Sequence, residues 1–183
     1  MGRSKAGRSR GCGIRDAALK PTHVLSIDPG LSGAFCLYEI ATRKIQIWDM
    51  PCKDGRVSPE GVAMIVDLAK GMSGGNLIGV VENVSSMPRQ AGAFNFGRSA
   101  GVVHGVLGAL GVSMELVSPV IWKRSYGLCK LLNESQADTK SRARALASKL
   151  WAEHAHEFKR VMDSDRAESA LIARFWASKN GWI

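Results

Sequence analysis

The sequence predicts an α/β domain built on a mixed five-stranded sheet, and three observations carry that prediction. Apolar or alternating runs at 23–27, 33–40 and 44–50 follow one another with only turns between them, as an antiparallel meander does. Two more apolar runs, 76–82 and 114–118, each follow a helical pattern, as strands that join a sheet through helical crossovers do. The chain's 183 residues are 45% hydrophobic, enough for one core of ordinary size, and they hold no internal repeat.

Residues 1–21 differ from the rest. "MGRSKAGRSRGCG" is rich in Gly, Ser and Arg, and residues 1–20 set Arg3, Lys5, Arg8, Arg10, Arg15 and Lys20 against the single acid Asp16, a net +5. The total of +9 leaves +4 on the other 163 residues. The segment reads as a disordered basic arm suited to a polyanion, the alternatives being an organelle-targeting peptide or a solubilising tail. Residues 22–183 form the folded domain.

"HVLSI" is the first strand and "GAFCLYEI" the second, with "ATRK" turning the chain into "KIQIWDM". There Ile45 and Ile47 alternate with Lys44 and Gln46, the pattern of a half-exposed strand. Ser58 is an N-cap with Pro59 at the first helical position, opening a helix that places Val62, Ile65, Val66 and Ala69 on one side and ends at Gly71. "NLIGVVE" is nearly all apolar, as a strand covered on both faces should be. A Met-Pro-Arg-Gln loop leads to a helix over about 94–110, then to the strand "MELVS" and a short helix from Pro119. Residues 131–138 read as a polar, mobile loop. A helix follows over 140–155, with Ala143, Leu146, Ala147 and Leu150 at helical spacing, and a last one over 164–178.

No run reaches the ~18 apolar residues of a membrane span, and no secretory-signal pattern is present. Cys12, Cys36, Cys52 and Cys129 form no C-x-x-C pair, which fits reduced thiols in a cytosolic-type compartment. His154 and His156 have no partners in the sequence that would make a zinc site.

The chemistry lies in the acids. Asp28 ends the first strand and Glu82 the fourth, and ligands of open α/β sheets gather at such strand ends. Asp165 and Glu168 sit three apart on one face of the last helix. Read singly, Asp28 is a turn residue of an Asp-Pro-Gly sequence, and the D-x-x-E pair is a solvated helix face. Read together, they converge if the last helix crosses that sheet edge. Two like charges 4 Å apart repel by roughly 1–4 kcal/mol at effective dielectrics of 80 to 20. Hard divalent cations resolve such a conflict, and oxygen-only sites suit Mg²⁺ or Mn²⁺. A basic protein with an acidic metal site fits a nuclease.

The segments "SIDPGLSGAF", "GVVENV", "FNFGRSAGVVHGVLGALG", "VSPVIWKRSYGL", "SRARALASKL" and "DSDRAESALIARF" carry a resemblance over about 23–175. The chain resembles the RuvC-type Holliday junction resolvases of the RNase H-like superfamily, and in particular is similar to their bacteriophage branch and the chloroplast resolvases. The resemblance implies an RNase H-like fold and a homodimeric endonuclease that nicks opposed strands of a four-way DNA junction with two Mg²⁺ or Mn²⁺ ions per site. It implies Asp28, Glu82 and Glu168 as catalytic metal ligands and Lys123 as a basic group near the scissile phosphate. Asp165 is chosen for the remaining acid because i,i+3 spacing keeps it on Glu168's face, with Asp163 and Ser164 as the other candidates; the histidine of many relatives is absent at Ser164.

Around the helix start, "MPRQAGAFNF" mixes Arg89 and Gln90 with Phe94 and Phe96, followed by Arg98, beside the expected site. An aromatic can wedge into interrupted base pairing, and Phe94 is the better placed of the two; the alternative for both is the core. Lys123, Arg124, Lys140, Arg142 and Arg144, with Lys149, make a basic flank suited to phosphates. Trp122 is expected in the core and His104 as a satisfied buried histidine rather than a ligand. Gly97, Gly101 and Gly105 permit close approach, either to the chain's own sheet or to a partner helix. The competing readings are an RNase H-fold nuclease for other branched DNA or RNA–DNA hybrids, a non-catalytic junction-binding module, and an actin-like ATP-binding domain. The expected location is the cytoplasm of a bacterial or phage-infected cell, or an organelle, without membrane attachment.

Overall fold

A computed structural model describes residues 20–83 and 92–183. Five strands form one sheet: β1 (His23–Ile27), β2 (Ala34–Glu39), β3 (Ile45–Asp49), β6 (Leu77–Glu82) and β7 (Met114–Val117). Their order is β3-β2-β1-β6-β7, in which β1, β2 and β3 pair antiparallel while β1, β6 and β7 run parallel. The meander and the two crossover strands expected from the sequence are all present. Between β3 and the first helix lies a short hairpin, β4 (Cys52–Lys53) with β5 (Arg56–Val57), which the periodicity does not reveal because each strand spans two residues. Its signal is Asp54-Gly55, both in the left-handed region (φ 51° and 69°) that a two-residue hairpin turn demands.

Helices cover both faces. Helices α1 (Pro59–Met72) and α2 (Ala93–Ala109) share one core with Leu25, Ile27, Phe35, Leu37 and Val81. On the other face, α3 (Pro119–Ser125), α4 (Gln136–Leu150) and α5 (Ser164–Lys179) enclose Val24, Cys36, Tyr38 and Val80. The Ser58 hydroxyl accepts from the Gly61 N–H, confirming the expected cap of α1. Two expectations need correction around α4. Its first turn begins at Gln136, inside the segment read as a loop, because Ser135 and Asp138 form a reciprocal capping box. Its end comes at Leu150 rather than 155. Trp151 turns into the core edge-on to Tyr38, 6.3 Å between centroids, and the chain continues as a 3₁₀ turn over Ala152–Phe158.

Helix α5 is the element that matters most for the site. It is small-residue-rich, and twelve of its sixteen residues are buried, so it lies deep against β1, β2 and β3 rather than on the surface. It is fastened to β1 by a reciprocal pair: the Ser26 hydroxyl donates to the Ser169 carbonyl at 2.6 Å, and the Ser169 hydroxyl donates to the Ser26 carbonyl at 3.1 Å. Among the described residues, no helix is long and apolar enough to cross a membrane. Cys36, Cys52 and Cys129 are free thiols.

Candidate active site

The parallel pairing of β1 with β6 aligns Ile27 with Val81, so the next residue of each strand, Asp28 and Glu82, emerges at the same sheet edge. The Ser26–Ser169 clamp then brings Glu168, one residue from Ser169, over that edge. Carboxylate oxygens of Asp28, Glu82 and Glu168 lie within 4.8 Å of one another. Glu82 and Glu168 are buried and Asp28 is half-buried. The reading of the helix acids as a solvated face is thereby excluded, since Asp165 is also buried.

The turn after Asp28 has two tasks. The Gly30 N–H donates to Asp28 Oδ1 at 3.1 Å, closing an Asx turn that fixes the carboxylate. The chain then doubles back so tightly that a Cβ at Gly33 would overlap the Asp28 carbonyl oxygen, a close approach open only to glycine. Glu82 is held by the indole of Trp122, whose Nε1–H donates to Oε1 at 2.8 Å from the floor of α3. Trp122 is core, as expected, yet it also aims a metal-ligating type of side chain, which no local pattern signals. Lys123 Nζ lies 3.1 Å and 3.0 Å from the two oxygens of Glu168.

Burial pushes the Asp28 carboxyl up to about 6, against the Gly30 hydrogen bond and with the help of the Asp165 and Glu168 charges. Burial, then the Asp28 charge, pushes Glu82 up to about 7 in spite of the Trp122 hydrogen bond. Both carboxyls are thus harder to ionise than free acids, chiefly because they are buried and in lesser part because other carboxylates face them. The donors at its centre are carboxylate oxygens only, without thiol or imidazole, and this hard set fits Mg²⁺ or Mn²⁺.

Asp165 stands just outside this triad. Ser32 Oγ donates to its Oδ2 and Lys140 Nζ to its Oδ1, both at 2.8 Å, while its charge still raises the Asp28 carboxyl. The other two candidates for the fourth position are engaged elsewhere. Asp163 is paired with the Arg160 guanidinium and backbone, and Ser164 Oγ donates to the Val161 carbonyl.

The basic flank divides. Lys140 reaches the acids themselves. Arg142 bridges Glu134 (2.6 and 2.8 Å) and the carbonyls of Gly127 and Cys129, tying down the loop before α4. Arg144 is half-buried, with no partner for its Nε among the described residues, and Arg124 is exposed. Phe94 is 80% exposed, Phe96 and Arg98 are half-buried, and Arg89 and Gln90 lie outside the described residues. Among the described residues nothing lies within 4 Å of a Cβ placed at Gly97, Gly101 or Gly105, so these glycines are not used for close packing on the described sheet.

A five-stranded mixed sheet of this order, covered by helices on both faces, is an RNase H-like fold similar to that of RuvC. Two solved structures of RuvC from Thermus thermophilus align with it. One, "in complex with Holliday junction substrate", is 18% identical with a TM-score of 0.54; the other is 15% identical with a TM-score of 0.56. Each alignment covers 86% of this chain and 96% of that one. No protein-family model and no curated protein matches the chain.

Proposed function

We infer that this chain is a divalent-metal-dependent endodeoxyribonuclease that resolves four-way DNA junctions, acting as a homodimer that makes paired symmetric nicks. The observation that carries the reading is the buried triad of Asp28, Glu82 and Glu168 at one sheet edge in a RuvC-like fold. The similar RuvC structure bound to a Holliday junction supplies the substrate class.

Asp28, Glu82 and Glu168, with Asp165 beside them, would hold two Mg²⁺ or Mn²⁺ ions. Such ions activate a water and stabilise the leaving oxyanion of a phosphodiester. The residues of the chain perform the rest. Trp122 donates to Oε1 of Glu82 and so fixes that carboxylate at the sheet edge. Gly30 fixes Asp28 through Oδ1. Lys123, paired with Glu168 in the absence of DNA, turns its ammonium to a phosphate oxygen beside the bond that breaks. Water attacks phosphorus and gives up a proton to solvent, one P–O ester bond breaks, and the departing oxygen takes up a proton from solvent. Exposed Phe94 lies where α2 begins, suited to stack on bases left unpaired at the branch. Arg98, Arg124, Arg144 and the second aromatic, Phe96, are further candidate contacts to the DNA backbone, with Arg89 and Gln90 added on sequence grounds alone, and Gly97, Gly101 and Gly105 let a second protomer approach α2.

The test compares wild type with Asp28→Asn on a mobile four-way junction, with duplex, flap and RNA–DNA hybrid alongside. We expect metal-dependent, symmetric cutting of the junction by wild type, and binding without cutting by the variant. Equal cutting by both proteins removes the metal-site assignment. Preferential cutting of the hybrid or flap moves the substrate to another RNase H-fold class.

A further inference from the structure

The acid cluster lies at one end of the sheet, and the opposite end is basic. The β2–β3 turn meets the start of β1, since Glu39 pairs with His23, while Asp28 follows the far end of that strand. Five residues at ~3.3 Å put the two ends about 17 Å apart. Helix α4 spans a similar distance, from Lys140 beside Asp165 to Lys149, nine residues or ~14 Å along its axis. Trp151 then locks the helix end to the turn, its Nε1–H donating to the Arg43 carbonyl at 2.9 Å.

Arg43, Lys44 and Lys149 thereby meet around a cleft of about 390 Å³, lined also by Thr42, Trp151 and His154. All three cations are exposed, and among the described residues none takes part in an ion pair, unlike Lys123, Lys140 and Arg142 near the acids. The acids nearby are few: Glu153 lines the cleft, and Glu39 accepts from Thr42 Oγ1 at 2.6 Å. Arg43 sits at φ 61°, a backbone conformation that suits Gly or Asn, so a guanidinium is held where the chain conformation disfavours it. Lys20 lines a neighbouring cleft that shares Arg43.

We propose that this pole is a second DNA surface, on which Arg43, Lys44 and Lys149 take the phosphodiester backbone of a duplex arm away from the cleaved bond. At 3.4 Å per base pair, ~17 Å is about five base pairs. The surface reads no sequence and supplies affinity and orientation. The inference rests on the DNA reading above for its ligand class, and it does not depend on catalysis.

The test uses the full chain in EDTA with a junction of 25-base-pair arms. The triple variant Arg43→Asn, Lys44→Gln, Lys149→Gln keeps a residue tolerant of the left-handed turn, and circular dichroism and a melt check that it folds. Each lost phosphate contact removes about one unit from the slope of log K against log salt, so the variant should lose about two to three units. Phosphate-ethylation interference should disappear at positions about five or more nucleotides from the branch and persist at the branch itself. An unchanged slope, or interference lost only at the branch, overturns the proposal. So does tighter binding of wild type to vesicles containing phosphatidylserine, lost in parallel in the triple variant, which would make the pole a membrane surface. Because no cleavage is read, failure of the nuclease reading leaves these outcomes interpretable, and a junction-cutting protein with an unchanged footprint refutes this surface alone.

Discussion

Two sets of acids flank the start of α5, and they are built on opposite principles. Asp49 and Glu157 share the Arg166 guanidinium at 2.6 Å each, and Asp163 is gripped by Arg160. Arg166 outweighs the effect of burial at Asp49 and holds its carboxyl below the usual range; at Asp163 burial is again overcome, here by the Arg160 side chain and backbone. Two and five residues further on, Asp165 and Glu168 project toward Asp28 and Glu82, whose carboxyls are pushed upward. The first set is complete as a structure. The second is a cluster of buried acids that lysines balance only in part, so its ionised form is costly and added cations would stabilise it. The same residue types around the start of one helix thus separate into scaffold and site according to whether a guanidinium or another carboxylate stands opposite.

The largest effect that tests this division comes from Glu82→Gln. The amide keeps a carbonyl for the Trp122 N–H, so the floor of the site survives. Cleavage should fall by at least ~10²-fold, the scale of losing one electrostatic stabiliser at a reacting centre. In EDTA at pH 8 the melting temperature should rise, because a desolvated charge has been removed. Simultaneous loss of activity and of metal-free stability would place Glu82 with the scaffold instead.

Next in size is the pH dependence of stability without metal. Asp28 and Glu82 have folded values of about 6 and 7 against 3.8 and 4.5 ordinarily, so between about pH 4 and 7 the folded state binds more protons than the unfolded. Stability should therefore fall as pH rises through that window, by on the order of several kcal/mol for the two groups together, and level off above it. Asp49 and Asp163 act in the other direction. Their lowered values contribute stability above about pH 4 that is lost as pH falls through them. Melts in EDTA should peak between pH 4 and 5, and Mg²⁺ should flatten the descent toward neutrality by replacing the protons. A metal-free profile that climbs from pH 5 to 8 would contradict the charge excess.

Much of this was legible in the residues. Strand-end acids after apolar runs located Asp28 and Glu82, and i,i+3 spacing put Glu168 on the correct face, because both signals are local and the parallel crossover does the rest. Non-local contacts were not legible. Nothing around Lys140 says that it turns inward to Asp165 instead of outward, and nothing around Arg142 says that Glu134 and two carbonyls will take it. The role of Trp122 depends on packing between α3 and β6. The clamp between Ser26 and Ser169 joins residues 143 apart in sequence, although a lone serine within an apolar strand is a hint that something polar lies opposite.

The smallest effect is the most discriminating for the scaffold half of the comparison. Asp49 is 64% exposed on its side chain, and Arg166 retains Glu157 if it is removed. Asp49→Asn should therefore cost no more than about 1 kcal/mol, a shift of a few degrees at most in the melt, with an unchanged cleavage rate at saturating Mg²⁺. Arg166 lies on α5 between Asp165 and Glu168, so its anchoring could in principle set how those acids meet Asp28. If Asp49→Asn lowered the cleavage rate tenfold while leaving the melt within a degree, the guanidinium network would be positioning the site, and the separation between a finished scaffold and an open metal centre would not hold. If the melt alone moves, the rigidity of the helix start comes from Arg160–Asp163 and Glu157, and the active acids take their geometry from the serine clamp and from Trp122.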